Sequence, residues 1–229
     1  MTPDVPEGAS EVPEGFRQYR FTPPTGATTV LLVRHGESAP AIPGRPFALR
    51  DGHGDPELHP EGARQARLVA ARLAVEPLDA IYVTTLVRTH QTAAPLADAL
   101  GIHVRVEPDL REVYLGEWEG GLLRERAAAA DPIFNEIFQQ QRWDVIPGAE
   151  PHDEFAARTE AGLRRVAGAH PGGRVAVFTH GGVISQLLHR ATGATRFAFS
   201  GADNASISEV VIDGDRLVLR RFNDISHLA

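Results

Sequence analysis

Two residue types are missing from this 229-residue chain: it has no cysteine and no lysine, and all 23 of its basic residues are arginine. Without Cys there is no disulfide, no thiolate metal site and no cysteine nucleophile. Without Lys there is no Schiff-base catalysis and no phosphate loop built on a lysine. Long apolar runs are lacking too. Val30 to Val33, among the longest, falls far short of the roughly 20 residues that span a bilayer. Met1 to Arg20 is acidic and contains Pro and Gly, unlike a targeting segment, so a cytoplasmic location is the default expectation. Nor is there a basic excess. The formal net charge is -7, which argues against nucleic acid or an anionic membrane as partner. A small basic pocket inside an acidic protein stays open.

What is present suits a soluble globular chain able to bury a sizeable core. Residues 1–25, with Pro3, Pro6, Pro13, Pro23 and Pro24, read as a flexible arm. The β-branched, apolar run Thr28 to Val33 reads as a strand buried on both faces. Residues 39–59 are rich in Pro and Gly and read as a long irregular loop. A helix is expected from near Pro60 to Ala74, and a strand over Ala80 to Val83. A second helix over Leu86 to Leu100 stops at Gly101, and a short strand covers His103 to Val106. Residues 121–143 read as helices interrupted at Pro132. A further helix runs from about Asp153 to Ala169, a buried strand over Arg174 to Phe178, and a helix over Gly182 to Ala191. The end reads as a hairpin, Ser206 to Ile212 and Arg216 to Phe222, turning at Asp213-Gly214. Strands alternating with helices imply an α/β fold, mostly parallel, with antiparallel character from the hairpin.

Ligands bind in such sheets just past the carboxyl ends of the strands. Three of those ends carry reactive groups: Arg34-His35-Gly36-Glu37-Ser38, Thr84-Thr85-Leu86-Val87-Arg88, and Thr179-His180-Gly181-Gly182. Two arginines and two histidines would converge. Guanidinium forks match phosphoryl oxygens. An imidazole can attack phosphorus and hold it as a phosphoramidate, and fixed cations stabilise the transferring group. Gly36, Gly181 and Gly182 let backbone N–H groups approach an anion. A leaving alkoxide needs a proton, so a carboxyl group is expected nearby.

These segments resemble the histidine phosphatase superfamily, the phosphoglycerate-mutase-like proteins. Arg34 to Ser38 has the form of the family's nucleophile motif. Asp55, Leu58, Gly62, Gln65 and Ala66 resemble the element that opens the first helix, and Leu86, Arg88, Gln91, Thr92 and Ala93 the second-arginine element. Leu110-Arg111-Glu112 with Gly116-Glu117-Trp118-Glu119-Gly120 resembles the acid-bearing segment, and Pro147 to Glu150 the turn before the next helix. His180 to Ile184 resembles the second-histidine motif, and Asn204 to Ile207 with Asn223-Asp224 the terminal strands. The likeness spans about residues 28–228.

The resemblance implies a three-layer α/β/α sandwich with a mostly parallel mixed sheet. It places a helical lid insertion at about 121–146 within a histidine phosphatase domain of residues 26–229. It implies His35 as nucleophile, Arg34, Arg88 and His180 as ligands of the phosphoryl oxygens, and Glu112 as proton donor and then base. No metal or other cofactor is implied, and a homodimer is left open. Gly181, Ser38, Arg45 and Arg50 are further candidates for binding phosphate or substrate. Against Arg45 and Arg50 stands the reading that they are solvated charges. A metal site from His53, His59, Asp51 and Asp55 can be imagined, but a polar loop lining the pocket is preferred. Trp143 and the apolar face of 122–138 read as packing, with a lid as the alternative.

The expected activity is hydrolysis of a small phosphorylated metabolite, a phosphomonoester, through covalent phosphohistidine. One alternative is a phosphoglycerate mutase. Mutases usually carry Trp and Asn soon after the nucleophile motif, where this chain reads Ser38-Ala39-Pro40-Ala41-Ile42-Pro43. Val113-Tyr114-Leu115 likewise replaces further basic and polar residues. Both departures favour a phosphatase. A catalytically silent phosphate-binding protein is the other alternative, and the complete set of five site residues argues against it.

Overall fold

The computed structural model describes residues 18–229. Most of the expected N-terminal arm, residues 1–17, lies outside the described residues; 18–24 form neither helix nor strand. The strands are β1 (Thr28–Arg34), β2 (Leu49–Arg50), β3 (His53–Gly54), β4 (Ala80–Val83), β5 (Val104–Val106), β6 (Arg174–Thr179), β7 (Ile207–Asp213) and β8 (Arg216–Asp224). The helices are α1 (Pro60–Leu73), α2 (Val87–Leu100), α3 (Leu122–Ala128), α4 (Pro132–Gln140), α5 (His152–Gly168) and α6 (Gly181–Thr192). Six strands form one sheet in the order β5-β4-β6-β1-β7-β8. The pairs from β5 to β1 are parallel, and β7 and β8 add antiparallel edges.

Alternation along β1 explains the layers. Leu31 and Val33 face Val69, Leu73 and Leu96, from α1 and α2. Val30 and Leu32 face Leu163, Val166, Ile184 and Leu187, from α5 and α6. Both faces are therefore covered, which is why the strand reads as continuously apolar rather than alternating. The α/β/α sandwich is as expected. Residues 121–146 contribute α3 and α4, which pack over a smaller core of Trp118, Ile137 and Ile146.

Local signals set the helix ends. Pro60 opens α1, and His59 caps it by accepting from the Glu61 N–H. Gly101 closes α2 with φ at +64° and donates to the carbonyls of Ala97 and Asp98, as a left-handed C-terminal residue does. Within the long loop, the β2-β3 ladder was not expected: two pairs are too short to leave a periodic signal. Among the described residues no helix is long and apolar enough to cross a membrane.

Candidate active site

Register brings the reactive segments together. Arg34 stands opposite Thr179, so His35 and His180 leave adjacent parallel strands side by side. Their ring centroids are 5.2 Å apart. Val83 pairs with Phe178, so Thr84 follows at the same level. A crevice of about 180 Å3 over these strand ends is lined by Arg34, His35, Arg88 and Glu112, with His53 and Arg124 beside them. His180 lies behind it, fully buried.

The loop carrying His35 is fixed by close backbone contact. A Cβ on Gly36 would sit 2.6 Å from the Gly62 carbonyl oxygen, and one on Gly62 only 2.0 Å from that of Glu37. The Gly36 N–H donates to Thr92 Oγ1 at 3.0 Å, and Asn204 donates to the His35 carbonyl at 2.9 Å. His35 Nδ1 lies 2.8 Å from the Gly36 carbonyl. A carbonyl can only accept, so Nδ1 carries the hydrogen and Nε2 keeps a free lone pair. Burial, reinforced by Arg88 and Arg34, holds this imidazole well below the usual histidine range. The ring is therefore neutral at pH 7.

Burial acts the same way on His180, again helped by Arg88. Thr84 Oγ1 meets its Nε2 at 3.0 Å, while its Nδ1 is buried with no partner. An unfilled buried donor or acceptor is costly and marks a place where a polar group is wanted. Arg34 Nε is a second such atom. Arg88 anchors its guanidinium on the Gly54 carbonyl at 3.0 Å, with Asp55 at 3.8 Å. Burial works against the charge of both arginines, and Glu112 is the first group to offset it in each case.

Glu112 accepts from the Gly182 N–H, at the N-terminus of α6, at 3.2 Å and from the Val113 N–H at 3.0 Å. Gly182 admits the carboxylate: a Cβ there would lie 2.5 Å from Glu112 Oε1. Gly181 lines a second chamber that begins at Arg34 and Glu112. Ser38 lines a wider opening on the other side of Arg34 and His35.

Two expected residues lie outside this cluster. Arg45 is exposed. Arg50 pairs with Asp55 at 3.2 Å and donates to the Thr85 carbonyl; neither arginine lines the crevice. His53 lines the crevice while His59 caps α1, and no three His, Asp or Glu side chains gather as metal ligands among the described residues.

Two arginines belong to the site although the motifs did not point to them. Arg124, on α3, donates to Ser38 Oγ at 2.7 Å and to the Ala39 carbonyl at 2.8 Å. Arg158 donates to the carbonyls of Asp109, Arg111 and Glu112 and pairs with Glu150 at 2.6 Å. It thereby holds the segment that presents Glu112. Both sit in charged helical stretches that look like ordinary solvated faces.

Comparison with known proteins places the chain in a family. Residues 30–225 match the family model of the histidine phosphatase superfamily (branch 1). Phosphoglycerate mutase-like protein 4 of Arabidopsis thaliana is 35% identical over 204 residues, covering 87% of this chain and 86% of its own. The metal-independent phosphoserine phosphatase of the same plant is 32% identical, covering 88% and 84%. The crystal structure of a phosphoglycerate mutase from Bacillus anthracis shares the fold, with a TM-score of 0.75 at 21% identity, covering 89% of this chain and 96% of that one.

Proposed function

The chain belongs to the histidine phosphatase superfamily, and we propose that it hydrolyses a small phosphomonoester by way of a phosphoryl group carried on His35. The observation that carries the reading is the state of that ring. It is neutral, it is aimed by its Nδ1–H into the Gly36 carbonyl, and its free Nε2 shares a crevice with Arg34, Arg88 and Glu112.

Nε2 of His35 attacks phosphorus, the ester P–O bond breaks, and protonated Glu112 gives its proton to the departing alkoxide. The alcohol leaves, and the phosphoryl group stays on a ring that keeps its Nδ1–H. Glu112, now a carboxylate, takes a proton from water as that water attacks phosphorus. The P–N bond then breaks, inorganic phosphate forms, and His35 and Glu112 return to their starting states. Arg34 and Arg88 hold the phosphoryl oxygens, and the unfilled Nδ1 of His180 suits a third hydrogen bond to them. Arg124 adds positive charge at the rim.

A relative named as a phosphoserine phosphatase and the two departures from the mutase pattern support hydrolysis over transfer. The test is an alkaline quench within milliseconds of mixing with O-phosphoserine, followed by peptide mass spectrometry. Phosphate on the peptide containing His35 is expected, with none in His35→Ala. Turnover by His35→Ala at the full rate would overturn the reading.

A further inference from the structure

We propose that the alcohol half of the substrate is larger than serine: it carries an aromatic ring with an acidic group at its far end. This deepens the phosphatase reading and rests on it. Two openings leave the crevice. One, of about 850 Å3, runs over Ser38, Arg124 and Asn204; no Phe, Tyr or Trp lines it, nor does Glu112. The other, of about 320 Å3, starts at Arg34 and Glu112. A leaving oxygen must stand between the phosphoryl group and its proton donor. The alcohol therefore extends past Glu112 into the second chamber, and the first is left for water and phosphate.

The walls of that chamber are aromatic. Phe197 packs against Trp143 with ring centroids 5.3 Å apart and against Phe138 at 5.8 Å. These contacts fix flat apolar faces on a cavity near the lower end of small-molecule pocket volumes. Phe138 remains 47% exposed, an apolar face that a ring would cover.

The chamber is also lined by Arg196 and His152, which lie close enough to interact electrostatically. Arg196 makes no ion pair among the described residues, and His152 Nδ1 is buried with no partner. A guanidinium and an unfilled imidazole nitrogen in the wall of an apolar slot suit a carboxylate or similar acid.

The test compares three esters with similar primary alkoxides: ethyl phosphate, 2-phenylethyl phosphate, and 2-phenylethyl phosphate bearing a para carboxylate. In kcat/KM the ring should gain about tenfold or more over ethyl, and the carboxylate about tenfold again. Arg196→Ala should erase the second ratio and keep most of the first. Phe197→Leu, which keeps apolar volume and loses the flat face, should shrink the first. Equal kcat/KM for all three esters, or variants that move all three alike, would overturn the proposal and leave the phosphatase reading standing. So would turnover of O-phosphoserine with none of the three hydrolysed. Release of phosphate from none of the four would sink both.

Discussion

A neutral imidazole is a good nucleophile but cannot expel an alkoxide by itself, which places the burden of the first step on Glu112. Replacing it with Gln should slow alkyl esters by about 10²–10⁴-fold, the usual worth of a positioned general acid. An aryl ester such as p-nitrophenyl phosphate leaves without a proton, so its first step should survive. The variant should then release about one nitrophenolate per site in a burst and stall, because water activation needs the same carboxylate. Equal losses for alkyl and aryl esters without a burst would assign Glu112 another role. Glu112 was legible because its neighbours Leu110 and Arg111 complete a motif. Arg124 and Arg158 were not legible, since their roles depend on carbonyls and a hydroxyl far away in the chain, with Arg158 reaching back 46 residues to Glu112. Arg45 and Arg50 looked like pocket residues because they sit in a loop next to the site. Residue type cannot say that Arg50 turns to Asp55 and the Thr85 carbonyl.

The main-sheet strands and the helices α1, α2, α5 and α6 were read to within a residue or two at their ends, because periodicity and glycine stops are local. What glycine does inside an element is not local, and two helix positions separate the cases. Gly168 ends α5 with nothing within 4 Å of an added Cβ. Gly168→Ala should therefore raise stability by about 0.5 kcal/mol, the ordinary preference of a helix for Ala. Gly62, in the first turn of α1, differs: its Cβ would meet the Glu37 carbonyl oxygen at 2.0 Å. Gly62→Ala should cost about 1–3 kcal/mol, as overpacking does, and should shift the His35 loop, so kcat falls as well. Urea unfolding midpoints for the pair check the sign of each. A stabilised, fully active Gly62→Ala would mean that the contact between α1 and the loop does not position the nucleophile.

At the scale of the whole molecule, the convergence of Arg34, His35, Arg88 and His180 was legible because each follows the carboxyl end of a strand, but strand order was not, because the register that sets His35 beside His180 is a property of the assembled sheet. That assembly has a measurable cost in acid. Burial is the largest influence on His35, His53, His152, His170, His180 and His227, and all six are held below the ordinary histidine value. Above about pH 6.5 these rings are neutral whether the chain is folded or not, so they add no pH dependence. Below it the unfolded chain takes up protons that the fold refuses. Stability must then fall with pH, by up to about 1.4 kcal/mol per unit for each fully buried ring such as His35 and His180. Carboxylates work in a lower window: Asp144, paired with Arg142, is held at about 2, so its contribution is lost only below the ordinary carboxylate range near 4. Urea midpoints should therefore drop in two overlapping stages, one setting in below about pH 6.5 and another joining it below about 4. Saturating inorganic phosphate should flatten the upper stage, because an anion seated against the two rings favours their protonated forms and offsets the desolvation that keeps them neutral. A midpoint constant from pH 7 to 5 would show that His35 and His180 titrate as freely in the fold as in the open chain, and the neutral nucleophile would lose its physical basis.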